Sequence, residues 1–342
     1  MNIAQEHALS YPRTSALFEW LFSFFSTWFV AGIFVDGWAH NHLVSSLETF
    51  FTPWHGIFYS GFTALAFLLF TYSILNRKKG YPFFHSVPKE YILSLAGVCI
   101  FFIGGIGDMV WHILFGIEAS VEALLSPTHL LLAVGGILTV AGPLRRVWQR
   151  GAVSADSWDS LPFLVSFTCV LSLLTFMIQY THPFTHPWMG LLQKPLAKNV
   201  FDAQALGIAN VLIPTTIFTG LVLMVMPQFT FPVGSFSFIL MLNGYGMSAM
   251  HDEYRFVMTA LLAGFMIDIL YFVVNQSVTD AQKRIRLFLF LSPCILYGSY
   301  VLTILYTEGT WWSVHLWAGS IVIAGIVGWL MSYVRILPAG EA

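Results

Sequence analysis

Charged residues are scarce in this sequence. Only 9% of its 342 residues are Asp, Glu, Lys or Arg, where soluble domains carry about 25%. The mean hydropathy is +0.74, and 57% of the residues are hydrophobic. A soluble fold of this size has no use for so much apolar surface, which excludes that class. The net charge of −2, without a basic cluster, argues against nucleic acid as a partner. Cysteine is also rare: Cys99, Cys169 and Cys294 lie far apart in apolar runs, with no CxxC. A disulfide framework and a thiolate metal site are therefore not expected. The opening "MNIAQEHALSYPRTS" has no cleavable signal pattern, so the first apolar run is expected to serve as an uncleaved anchor.

What is present in quantity is apolar runs of roughly 20 residues, the length that crosses a bilayer core. Ten are expected, at 16–38, 54–75, 91–115, 128–144, 160–181, 203–226, 232–250, 256–276, 287–306 and 314–334. The uncharged turn "MPQFTFP" marks the weakest boundary. The expected fold is an all-α, polytopic membrane helix bundle. Its segments are a repeat-bearing part, 1–150, and a six-helix part, 151–342, within one integrated domain. Twelve of the fifteen Lys and Arg residues fall on the N-terminal side of this topology, which sets both termini in the cytoplasm. Nine of the eleven histidines then fall on the opposite side, leaving only His7 and His85 within. The expected location is a bacterial cell membrane, with function on the extracytoplasmic face.

The ionisable residues on that face repeat. One unit reads Asp36-x3-His40, then Glu48-x4-Pro53-x-His55; the other reads Asp108-x3-His112, then Glu122-x4-Pro127-x-His129. Each unit is a hairpin, near 16–75 and 91–144, whose Pro opens the returning helix. Asp and His four apart share a helix face, and a His on the returning helix adds a donor from the other wall. Asp36, His40, His55, Asp108, His112 and His129 are thus candidate metal ligands. Their nitrogen and oxygen donors suit copper, iron, zinc or manganese. Glu48 and Glu122 are candidate catalytic groups, as a general base or proton shuttle, unless they ligate or orient an imidazole. One His or Trp at a helix end is ordinary interfacial anchoring. Four ionisable groups kept in each of two copies need more than that, because a carboxylate at membrane depth costs about 2.5–3.5 kcal/mol. Weaker signals are His182 and His186 in "THPFTHPW", "HDEYR" at 251–255, and Glu308 seven residues before His315, which echoes the repeat. Asp268, alone near mid-span, is expected to hydrogen-bond inside the bundle, with Asn243 or Gln276 as partner.

The Asp-x3-His pairs with a later His resemble the metal-binding helices of the C subunit of particulate methane and ammonia monooxygenases. In that family one such triad binds copper, and a second has Asn in place of Asp. The resemblance implies one triad of Asp36, His40 and His55 and another of Asp108, His112 and His129, with copper as cofactor. It covers only the two quoted segments. The second His comes a few residues later here, the Glu-x4-Pro-x-His half is foreign to the family's pattern, and ten spans exceed its count. The expected function is a copper or iron oxidoreductase acting on an apolar or lipid-like substrate, with a redox partner or other membrane subunits. A zinc-dependent membrane hydrolase of lipid-like substrates, a metal delivery or transport protein and a b-haem carrier are the alternatives.

Overall fold

The computed structural model describes residues 11–43, 51–116, 121–150 and 157–334. Among them are twelve α-helices and, apart from one isolated bridge between Gly190 and Thr310, no β structure. In chain order they are α1 (Ala16–His42), α2 (Pro53–Lys78), α3 (Ile92–Phe115), α4 (Glu122–Leu125), α5 (Pro127–Val140), α6 (Gly142–Arg150), α7 (Ser157–Met177), α8 (Val200–Val225), α9 (Ser235–Ala249), α10 (Arg255–Ser277), α11 (Ala281–Thr307) and α12 (Val314–Met331). Eight helices are long and apolar enough to cross a membrane; α5 and α6 make a ninth if taken as one span bent by 56°.

Every one of the ten expected spans is helical, but two are not straight crossings. The run at 128–144 breaks at Ala141, just before Gly142 and Pro143. The run at 232–250 yields a helix of 15 residues, α9. At 1.5 Å per residue it is about 22 Å long, short of the ~30 Å of a hydrocarbon core. The residue before it, Gly234, has a positive φ, and Pro232 precedes that.

The chain divides into two compact units, residues 1–177 and 178–342. In the first, α1 packs along α2 and α3 along α5, α2 touches α3, and α7 lies against α1, α5 and α6. Helix α7 therefore belongs with the hairpins. Glycines set the hairpin crossings. A Cβ on Gly32 would lie 2.6 Å from the Phe58 Cα, and one on Gly61 would lie 2.7 Å from the Phe29 nitrogen. The second hairpin repeats the pair: Gly104 faces Leu132, and a Cβ on Gly135 would lie 2.6 Å from the Phe101 nitrogen. At the opposite end, buried Glu19 accepts from the Tyr91 hydroxyl at 2.6 Å and pairs with Arg146 at 3.0 Å, joining α1, the start of α3, and α6.

In the second unit, α8 packs on α12, α9 on α10, α10 on α11, and α11 on α12. Asp268 is hydrogen-bonded within this unit, yet not to Asn243 or Gln276. Its carboxylate accepts from the Phe236 and Ser237 backbone nitrogens, both at 3.0 Å, and from the Ser237 hydroxyl at 2.6 Å. It thereby satisfies backbone donors left open in the first turn of the short helix α9.

Candidate metal centre

Each triad is assembled by one helix ending and the next beginning. Asp36 and His40 occupy the last turns of α1, one turn apart. Helix α2 opens with Thr52, whose hydroxyl accepts from the His55 backbone nitrogen at 3.1 Å, and with Pro53 in its first turn. The second hairpin is built alike. Asp108 and His112 lie in the last turns of α3, and Ser126 caps α5 by accepting from the His129 nitrogen. A capping hydroxyl followed by Pro fixes where the helix starts. The third histidine is thereby held facing the neighbouring helix.

The sequence-expected ligands come together as two groups, Asp36–His40–His55 and Asp108–His112–His129, with all donor atoms in each within 4.8 Å of one another. In the first, Asp36 lies 3.7 Å from His40 Nε2 and 3.5 Å from His55 Nε2. In the second, Asp108 lies 3.4 Å from His112 Nε2 and 3.6 Å from His129 Nδ1. These spacings exceed the usual ~2.7–3.2 Å of a hydrogen bond. Two donors held tetrahedrally about 2.0–2.1 Å from one ion lie about 3.4 Å apart, close to the observed values. Both groups therefore have the spacing of a ligand set, and each could hold a metal ion.

The groups differ in how their carboxylates are satisfied. Asp36 Oδ1 is buried with no hydrogen-bond partner. Asp108 Oδ1 accepts from the Thr128 hydroxyl at 2.8 Å, and its side chain is 3% exposed against 16% for Asp36. His129 Nδ1 lies 2.6 Å from the Ser126 hydroxyl, and His112 Nδ1 lies 3.3 Å from the Gly116 carbonyl oxygen. The carbonyl contact is the second-layer support that directs the other imidazole nitrogen of His112 at the carboxylate side. The two hairpins meet just below the groups, where Phe58 of α2 and Phe101 of α3 lie 6.4 Å apart between ring centres. Beneath them lies an aromatic floor. Phe101 contacts Phe29 at 5.0 Å and Phe62 at 4.5 Å between ring centres, and His55 meets Phe58 edge-on at 5.5 Å.

Other residues singled out in the sequence fall elsewhere. Glu48 lies outside the described residues. Glu122 is exposed on the one-turn helix α4 and is not among the residues gathered into the two groups. The echo at Glu308 is no third triad. Glu308 pairs with Arg255 at 2.8 Å and accepts from the Leu192 backbone nitrogen, while His315 is exposed. His42 stacks on Trp38 and lies 2.8 Å from its carbonyl oxygen. In the second unit, His186 and His251 meet at 4.5 Å between ring centres, and His182 is buried with its Nδ1 accepting from the Phe184 nitrogen. Burial, with His186 nearby, pushes His182 down to about 3, and burial beside His251 pushes His186 down to about 4.

Reading ionisable residues alone misses Thr128 and Ser126, which supply hydroxyls to Asp108 and His129, and the glycine–aromatic pairs below the site. The signal was in the repeat itself. Phe29, Gly32, Asp36 and His40 match Phe101, Gly104, Asp108 and His112 position by position, and Thr52, Pro53, His55 and Gly61 match Ser126, Pro127, His129 and Gly135. No protein-family model, no curated protein and no solved structure matches the chain.

Proposed function

We propose that this chain is an integral membrane metalloprotein that holds copper in its two Asp–His–His groups and works as an oxidoreductase on a small apolar or lipid-like substrate. The observation that carries the reading is the carboxylate–imidazole spacing of 3.4–3.7 Å in both groups. It is wider than the usual ~2.7–3.2 Å hydrogen bond and matches the separation of donors around one ion, and it occurs twice. Two nitrogens and one oxygen in each set, with the cysteines elsewhere in the chain, suit copper or iron, and the resemblance of each triad to copper-binding helices puts copper first. Three protein donors leave coordination positions for an external ligand, as in catalytic rather than structural sites. Bound copper would supply one-electron chemistry. The chain's own residues hold the ion, and the aromatic floor keeps water from entering below.

Zinc-dependent hydrolysis is the second reading, favoured by the same open three-donor sets. It needs a general base in reach of bound water, and the exposure of Glu122 speaks against that residue in the role. The proposed setting is a bacterial cell membrane, with the triads on the face opposite the Lys- and Arg-rich loops.

The redox reading is tested on protein loaded with Cu(II) in detergent. The expected result is an electron paramagnetic resonance signal with nitrogen hyperfine structure, lost on reduction by ascorbate and regained in air. Protein that takes up zinc and holds no redox-active copper would overturn it.

A further inference from the structure

The two hairpins correspond at their triads and at several helix crossings and depart from each other at others, among them Gly97, which falls on Phe25, and the pair of Tyr59 and Gly105. Positions on α1 and α3 are related by an offset of 72 residues (Asp36 to Asp108) and those on α2 and α5 by 74 (His55 to His129). By these offsets Phe29, Gly32 and Gly61 fall on Phe101, Gly104 and Gly135. Tyr59 falls on Ala133, and Gly105 falls on Ile33. Tyr59 and Gly105 are in contact across the two hairpins. A Cβ on Gly105 would lie 2.8 Å from the Tyr59 hydroxyl oxygen. Glycine at 105 thus makes room for a phenol that the second hairpin does not carry.

The position of that phenol ties it to both triads. Tyr59 follows His55 by one turn on α2, and Gly105 precedes Asp108 by nearly one turn on α3, so each shares a helix face with a candidate ligand. The ring meets His55 at 6.3 Å and Phe101 at 6.2 Å between centres. Aromatic packing alone would be served by Phe, which neighbouring positions 58, 62 and 101 use.

We propose that Tyr59 is a positioning residue of the metal centre: its O–H donates a hydrogen bond to the external ligand that occupies the open coordination positions of the triads. The ligand class is a small oxygen- or nitrogen-bearing acceptor. The proposal rests on the metal reading above. It adds that the two triads share one ligand-facing space, with the phenol between them.

The test uses full-length protein loaded with Cu(II), with inorganic azide as the probe and its charge-transfer absorption as the readout. Wild type is compared with Tyr59→Phe, which keeps the ring, and Gly105→Ala, which keeps the hydroxyl but displaces it. Copper content is measured first. The expected result is unchanged copper loading in Tyr59→Phe and azide affinity weakened roughly tenfold or more, the scale of one hydrogen bond to a charged group. Gly105→Ala should weaken azide in the same direction. Equal azide affinity in wild type and Tyr59→Phe would overturn the positioning role while leaving the metal reading intact. Loss of copper or of thermal stability in Tyr59→Phe, with azide affinity unchanged per bound ion, would assign the hydroxyl to folding instead. A wild type that binds no copper would overturn both readings before azide is added.

Discussion

Asp36 and Asp108 occupy equivalent places, yet only one has its needs met by the protein. Asp108 Oδ1 takes a hydrogen bond from Thr128, where the first hairpin has Trp54 at the matching position; Asp36 Oδ1 has no hydrogen-bond partner. A buried acceptor without a partner costs about 1–3 kcal/mol, and a cation would relieve that cost. The first triad should therefore load before the second in a copper titration followed by paramagnetic resonance. Thr128→Val should narrow the gap between the two affinities, and an unchanged order with an unchanged gap would count against this explanation. The six candidate ligands were legible in the sequence because Asp-x3-His and Pro-x-His are local patterns with fixed helical geometry. Thr128 and Ser126 were not, because a hydroxyl next to a histidine is common and its direction depends on the cap. Glu308 shows the opposite error: matching spacing to a histidine, but a carboxylate committed to Arg255 and the Leu192 nitrogen.

The hairpins owe their close crossings to Gly32, Gly61, Gly97 and Gly135, where an added Cβ would fall 2.6–2.7 Å from backbone of the facing helix. Backbone cannot step aside as a side-chain tip can. Gly32→Ala and Gly61→Ala should therefore each destabilise the protein by about 1–3 kcal/mol, read as a lower Tm in detergent. Gly56→Ala is the internal control, since nothing lies within 4 Å of its added Cβ, and its Tm should be unchanged or slightly raised. Equal behaviour of all three would remove the packing argument. Helix positions followed directly from apolar run length. Helix ends did not: the Ala141 bend and the 15-residue α9 turn on Gly142–Pro143 and Pro232–Gly234, and a hydropathy window averages across such breaks. The glycine–aromatic part of the repeat was on view as well. In a chain 57% hydrophobic, apolar coincidences arise at many offsets, and the ionisable residues alone stood out.

At the scale of the whole molecule, each unit carries buried polar groups that tie its stability to solution conditions. In the second unit, His182 and His186 are held neutral, down to about 3 and about 4, whereas an unfolded imidazole titrates near ~6.5. Between those values the unfolded chain binds protons that the folded chain refuses, so stability falls as pH drops from about 6.5 toward 4. Thermal unfolding at pH 7 and pH 4.5 should show a lower Tm in acid, and His182→Asn should reduce the difference. A Tm independent of pH across that window would show that these imidazoles take up protons without cost. The all-α, multi-span architecture was legible from hydropathy alone, because every long apolar run must close its backbone hydrogen bonds as helix. The identity of the ion was not legible in the same way, because Asp–His–His geometry is shared by several metals. The most direct measurement is metal content by plasma mass spectrometry on protein purified without a histidine tag, for wild type, Asp36→Ala/His40→Ala and Asp108→Ala/His112→Ala. The account expects one to two equivalents of copper in wild type, as the two groups provide, and a loss in each paired variant. Wild-type protein that holds no transition metal after reconstitution, or paired variants that hold as much as wild type, would contradict it.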